Sequence, residues 1–307
     1  MRRSETAQIP PSAVRRQRKE CHRMSVPFFV NLKGKTAVVT GGGGVLCSAF
    51  CEALAECGAN VAVLDLKKES ADAVAEKINA AGGKAIGVSA NVLSKESLAE
   101  AKKTVLDAFG SVDILINGAG GNNPKAQTTK EYLYYEDLKN SVEEVKTFFD
   151  LDPEGVEFVF NLNFLGTLLP TQVFASEMCG REGVIINISS MNAFRPLTKI
   201  PAYSAAKSAV SNLTMWLAVH FSKVNIRVNA IAPGFFVTHQ NKSLLFNDDG
   251  TPTTRTQKIL AATPMNRFGQ PEDLIGTLLY LCDSKASGFV NGVVIPVDGG
   301  FSAYSGV

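Results

Sequence analysis

The chain has 307 residues, of which 45% are hydrophobic and 20% charged, and its formal net charge is +2. That length and balance suit one large α/β domain or two small ones with a sizeable core. The near-neutral charge gives no global electrostatic argument for nucleic acid, and no apolar run reaches the length needed to span a bilayer. The cysteines are Cys21, Cys47, Cys51, Cys57, Cys179 and Cys282, and the histidines are His22, His220 and His239. No C-x-x-C pair occurs and zinc-ligand spacing is absent, so no metal site is expected. The cysteines read as small buried apolar groups in a reducing, cytoplasmic compartment.

Residues 1–26 stand apart. They carry Arg2, Arg3, Arg15, Arg16, Arg18, Lys19 and Arg23 with Pro10-Pro11 and almost no periodicity, the composition of a disordered basic tail. Arg2-Arg3 is not followed by an apolar stretch, which argues against a secretory signal. Met24 is an alternative start, and a role for the tail on an anionic surface is the minor reading.

From Lys35 onward, short β-branched runs alternate with helical segments. Strands are expected at 35–40, 61–65, 84–88, 112–116, 183–188, 225–230 and 292–297. Helices are expected at 45–57, 68–81, 94–109, 152–178, 202–221 and 271–282. Short, buried strands separated by helices imply a parallel sheet covered on both faces. The expected fold is therefore α/β: a single-domain, Rossmann-like, doubly wound seven-stranded parallel sheet over residues 27–307. Two long segments, 120–150 and 235–263, interrupt the alternation, the second with a turn signal at Asn247-Asp248-Asp249-Gly250. Both leave carboxyl ends of strands, where ligands bind in open α/β sheets, so both are expected to line a substrate pocket.

Thr40-Gly41-Gly42-Gly43-Gly44-Val45-Leu46 links the first strand to the first helix. Glycines let the backbone approach a pyrophosphate, and the amino end of the helix attracts the anion. Asp65 ends the second strand, twenty-four residues after Gly41. A carboxylate there accepts the ribose hydroxyls of NAD and repels a 2′-phosphate, so NAD is preferred over NADP; a helix cap is the alternative reading. Lys67 and Lys68 follow, but the glycine loop itself carries no basic residue.

Tyr203-Ser204-Ala205-Ala206-Lys207 places a phenol and an ammonium one helical turn apart, with Ser190 thirteen residues earlier. A fixed ammonium favours phenolate and is expected to lower the tyrosine pKa, which makes the pair a general acid/base; the serine hydroxyl would hold a carbonyl oxygen.

With these motifs assembled, the chain resembles the short-chain dehydrogenase/reductase family over roughly Asn31 to Val307. The matching elements are the glycine loop, Asn117-Gly118-Ala119-Gly120, Asn163-Phe164-Leu165-Gly166-Thr167, Ile188-Ser189-Ser190, Tyr203-x-x-x-Lys207, Pro233-Gly234 and Val297-Asp298-Gly299-Gly300. The resemblance implies that Tyr203 donates or accepts the proton at the reacting oxygen. Lys207 would hold the nicotinamide ribose and depress the tyrosine pKa. Ser190 would position the substrate oxygen, and Asn163 would bend its helix and hold a relay water. Gly41, Gly43, Gly44 and Leu46 would follow the pyrophosphate, and Asn91 and Val92 would cradle the adenine. Asn117, Ala119 and Gly120 would pass the adenosine ribose and nicotinamide. Pro233, Gly234, Phe236 and Thr238 would hold the carboxamide and phosphates. Homotetramers are usual in the family, and the apolar run 209–219 and the C-terminal 301–307 are compatible with that.

Two positions depart from the family loop Thr-Gly-x-x-x-Gly-x-Gly. Val45 and Cys47 stand at its second and third glycines, so Gly44 is expected to take over the close backbone contact and Cys47 to narrow the approach to the pyrophosphate.

A finer likeness, in 120–125, 194–199, 233–236 and 299–307, is to the branch containing D-mannonate oxidoreductases (fructuronate reductases). It implies exchange between D-fructuronate and D-mannonate. In that reading Asn122, Asn123, Arg195 and Lys199 bind the sugar acid, since a planar guanidinium suits a carboxylate. Lys125, His239, Gln240 and Asn241 are further candidates for its hydroxyls. Arg195 and Lys199 also read as solvated loop charges. Two alternatives stay open: a reductase for another keto acid such as 5-ketogluconate, and a non-catalytic dinucleotide sensor. A small-molecule substrate is expected, with no nucleic-acid or membrane partner.

Overall fold

Seven strands form one parallel sheet, in the order Lys84–Ser89, Asn60–Asp65, Thr36–Thr40, Ile114–Asn117, Gly183–Ile188, Ile226–Pro233 and Val294–Val297 across it. The structure is a computed structural model that describes residues 29–139, 145–238 and 242–306. The basic tail of residues 1–26 and the candidates His239, Gln240 and Asn241 lie outside the described residues. The strands are β1 (Thr36–Thr40), β2 (Asn60–Asp65), β3 (Lys84–Ser89), β4 (Ile114–Asn117), β5 (Gly183–Ile188), β6 (Ile226–Pro233) and β7 (Val294–Val297). Between them run α1 (Val45–Glu56), α2 (Lys68–Ala80), α3 (Lys95–Phe109), α4 (Pro153–Phe160), α5 (Gly166–Met178) and α6 (Pro201–His220). After β6 come α7 (Lys242–Leu245), α8 (Thr254–Ala261), α9 (Glu272–Cys282) and α10 (Ser284–Ser287).

The strands read as continuous apolar runs because both faces are covered. Ala37, Val39, Val61, Val63, Ile116 and Ile186 pack in one core, while the intervening Val38, Ala62, Leu64, Leu115 and Ile185 pack in the other. Successive side chains point to opposite faces of a strand, so each strand feeds both layers. Helix α3 shows how sequence ends an element. Ser94 caps it by accepting from the Ser97 amide at 3.2 Å, and Gly110 stops it at φ 75°. Its buried residues Leu98, Ala101 and Val105 fall on one stripe.

The chain leaves β1 toward β2 and leaves β4 toward β5, on opposite sides. Thr40 and Asn117 are paired at the ends of these two neighbouring strands, so a crevice opens beyond them.

Three expectations need correction. The helix expected over 152–178 is interrupted by a π-turn at Asn161–Leu165 between α4 and α5. The segment 235–263 contains helix α8, capped by Thr253 accepting from Thr256 N; α8 buries only Thr256 and Ile259. Finally, by length and composition the 26-residue run Pro153–Met178 is long and apolar enough to cross a membrane, contrary to the sequence expectation. Here it packs against β4, α3 and α6, with Phe174, Ala175 and Met178 in the sheet core.

Candidate active site

The crevice beyond β1 and β4 holds a cavity of about 610 Å³. Its floor at one end is the glycine loop. Gly41 adopts φ 65°, and a Cβ there would lie 2.9 Å from Ala119 Cα. A Cβ on Gly43 would lie 2.6 Å from Ser70 Cβ and 3.0 Å from the Asp65 carboxylate. Only glycine keeps this surface open. Asp65 accepts from the Gly43 amide at 3.1 Å and the Lys67 amide at 3.1 Å. Lys67, not Asp65, is the N-cap of α2, which removes the cap reading. Helix α1 starts at Gly44 with no side-chain cap and no acidic residue in its first turn. Its first amides therefore form an anion site beside a carboxylate. This donor set fits a dinucleotide: backbone amides for the diphosphate and Asp65 for ribose hydroxyls.

Gly44 supplies the helix cap, donating its own amide to Gly41 O at 3.0 Å. Cys47 is only 5% exposed. Its thiol lies toward Gly118 and the end of β1, and burial pushes it up to about 12.

At the other end, β5 and α6 bring Ser190, Tyr203 and Lys207 to the cavity wall. Pro201 at the first turn of α6 sets its start, and the four-residue step puts Tyr203 and Lys207 on one face. Lys207 Nζ lies 5.7 Å from the centre of the Tyr203 ring and donates to Ile188 O at 2.8 Å. Burial raises the Tyr203 pKa, and the hydrogen bond from Ser190 only partly offsets it. The expected lowering of the phenol by Lys207 is thus reversed. Dehydration of the buried phenol dominates, and the Lys207 ammonium over the ring is itself pushed down to about 8 by burial.

Asn163 lies in the π-turn and is fully buried. Its Nδ2 donates to Gly121 O and Val159 O, both at 2.7 Å, and its Oδ1 accepts from Gly121 N at 3.3 Å. A Cβ on Gly120 would be 2.8 Å from Asn163 Oδ1 and 3.2 Å from Lys207 Nζ. The residues 163, 207 and 120 therefore meet at one point under the cavity.

Of the other sequence candidates, Leu46, Ala119, Gly120, Asn122, Pro233, Gly234, Phe236 and Thr238 line the cavity. Several do not. Asn117 turns its side chain into the interior, donating to Thr171 Oγ1 at 2.9 Å and Asn187 Oδ1 at 2.8 Å; it ties β4 to α5 and β5. Asn91 and Val92 lie at the exit of β3, where Asn91 Oδ1 accepts from Leu93 N and Val92 packs near Gly166. Asn123 caps the short turn at Pro124–Ala126. Lys125 is held by Asp152 at 3.1 Å. The guanidinium of Arg195 donates to the backbone carbonyl of Tyr304. Lys199 faces a separate cleft. The cavity also includes Gly121, Ile188, Ser189, Ile200 and Phe235. All five lie beside residues singled out in the sequence, and adjacency to those motifs was the available signal.

The sequence profile of the family described as short chain dehydrogenase matches residues 35–248. An uncharacterized oxidoreductase of Haemophilus influenzae is 61% identical over 92% of this chain and 99% of its own length. An uncharacterized oxidoreductase of Bacillus subtilis, UxuB, is 55% identical over 92% of this chain and 100% of its own length. The crystal structure of a "putative D-Mannonate oxidoreductase" from Haemophilus influenza with bound NAD superposes with a TM-score of 0.86 at 60% identity, covering 90% of this chain and 98% of that one.

Proposed function

The chain belongs to the short chain dehydrogenase family of oxidoreductases, and from that premise we propose that it is an NAD-dependent enzyme interconverting a keto sugar acid and its hydroxy acid, D-fructuronate and D-mannonate. The observation that carries the chemistry is the meeting of Ser190, Tyr203 and Lys207 at one wall of a cavity whose floor is the glycine loop and Asp65. The substrate rests on the 60% identity to the NAD-bound structure named above.

NAD would be held by the first amides of α1, by Asp65 and by the β6 exit at Pro233, Gly234, Phe236 and Thr238. When bound it supplies or removes the hydride at the carbon being reduced or oxidised. Ser190 holds the substrate oxygen with its hydroxyl. Tyr203 gives that oxygen a proton in reduction and takes it back in oxidation. Lys207 is fixed by the Ile188 carbonyl beside the phenol. Asn163 keeps the Gly120-Gly121 floor in place through its bonds to Gly121 and Val159; a relay water would complete its expected role.

We place the enzyme in the cytoplasm, because the described cysteines are all free thiols. We also propose a homotetramer. Met215, Trp216 and Val219 on α6 are exposed apolar groups of the kind that a subunit contact covers. Light scattering that returned a monomer would remove that assembly.

The deciding experiment is a substrate panel with NADH and NADPH: D-fructuronate, 5-ketogluconate and neutral ketoses. NADH oxidation with D-fructuronate above the others is expected. Turnover of 5-ketogluconate alone would move the assignment to another keto acid. Absence of NADH oxidation with any uronate would remove the D-fructuronate assignment.

A further inference from the structure

Beside the cavity lies a second cleft of about 360 Å³. Phe235 lines both, and Lys199 in the cleft is followed directly by Ile200 in the cavity. The two clefts thus adjoin at Phe235 and at the 199–200 peptide, on the side of the cavity that carries Ser190 and Tyr203. One wall is the 197–199 loop; the other is the outer face of α8, which contributes Arg255 and Lys258.

The charges there do not balance. Glu131, from the first long loop, pairs with Lys258 at 2.8 Å. Lys199 is near enough to add to the lowering of the Glu131 carboxyl. Among the described residues neither Lys199 nor Arg255 has a salt bridge of its own, so three cations face one carboxylate. The backbone adds an independent sign. Lys199 adopts φ 71°, a region where a glycine would sit without strain. Its carbonyl is pinned there by the Thr128 amide at 2.9 Å. A strained conformation kept by a long cationic side chain points to a use for that side chain.

We propose that Lys199 and Arg255 form the subsite for the substrate carboxylate, and that Arg255 sets the preference for an anionic sugar over a neutral one. This rests on the keto sugar acid reading above and deepens it. The guanidinium offers a planar fork to the carboxylate, and Lys199 adds a point charge from the facing wall. The role passes from Arg195, whose guanidinium is engaged by the Tyr304 carbonyl.

The test assays wild type, Arg255→Gln, Arg255→Lys and Lys199→Gln with NADH against D-fructuronate and against D-fructose, the neutral ketose of the same skeleton. NADH binding, followed by fluorescence titration, controls for folding. In Arg255→Gln the KM for D-fructuronate is expected to rise about 30-fold with kcat little changed, as for loss of a charge-assisted hydrogen bond. Lys199→Gln should show a smaller rise, and Arg255→Lys should recover part of the loss. Variants that keep the wild-type preference for the acid, or that lose kcat rather than KM, would overturn the subsite and leave the sugar-acid reading standing. A wild type that turns over neither compound, or does not favour the acid, removes the D-fructuronate assignment and the subsite together.

Discussion

The Cys47 thiol fills the space that a side chain at residue 118 would need: a Cβ on Gly118 would lie 2.2 Å from Cys47 Sγ. Cys47 stands where the family loop has glycine, and Gly118 is the small partner that accommodates it. Gly118→Ala should therefore destabilise the protein by about 1–3 kcal/mol through overpacking. Cys47→Ala should recover part of that loss, not all of it, because Thr40 O would still be 2.8 Å away. A double-mutant cycle by urea unfolding measures the coupling. Additive effects would show that the thiol and residue 118 do not compete for space.

Lys207 gives a pH signature. Its pKa falls from 10.5 to about 8 because burial penalises the ammonium. Below pH 8 the folded protein carries that buried charge and its full cost. Between about pH 8 and 10.5 the unfolded chain keeps a proton that the folded one has released, so stability rises with pH. Lys207→Met lacks this term. Measured without added NAD, the stability of the variant relative to wild type should be more favourable at pH 7 than at pH 10, by up to about 3 kcal/mol. A difference that does not change with pH would contradict the burial argument.

Tyr203→Phe removes the proposed proton carrier and leaves the ring. Turnover should fall about 1,000-fold or more, while NADH affinity stays within a few-fold. Because burial holds the phenol above its ordinary range, alcohol oxidation by wild type should quicken toward alkaline pH. Steady-state kinetics with a fluorescence titration tests both. A wild type with no turnover to lose would favour the sensor alternative.

Asp65 accepts from Gly43 N in the glycine loop and is the only acidic residue lining the cavity among those described. Asp65→Ser removes the charge proposed to exclude a 2′-phosphate. The kcat/KM ratio of NADPH to NADH should rise about tenfold or more. An unchanged ratio would place cofactor choice elsewhere.

The strands and the glycine loop were legible because their signals are local. A β-branched run such as Ala37–Val39 needs no knowledge of its partner to read as a buried strand. The register of Tyr203 and Lys207 follows from helix geometry alone. Helix α8 was not legible, since Thr254–Ala261 buries little and its cap residue lies within a stretch of threonines. The bend at Asn163 was implied by the family resemblance alone, and the structure shows it as the π-turn Asn161–Leu165. Periodicity carries no sign of it, and one partner of Asn163 there is Gly121, forty-two residues away.

By itself, the sequence determined the parallel sheet, the switch-point crevice and the residue types set around it, because period and spacing act over one strand or one turn. Tertiary structure decided which of those side chains face the crevice. Asn117 turned inward to Thr171 and Asn187, Arg195 was taken by Tyr304, and Arg255 came to face Lys199 across the cleft. It also decided the sign of the Tyr203 shift. The reason is common to all four. The direction of a polar side chain, and the water left around it, are set by whichever distant segment packs against it.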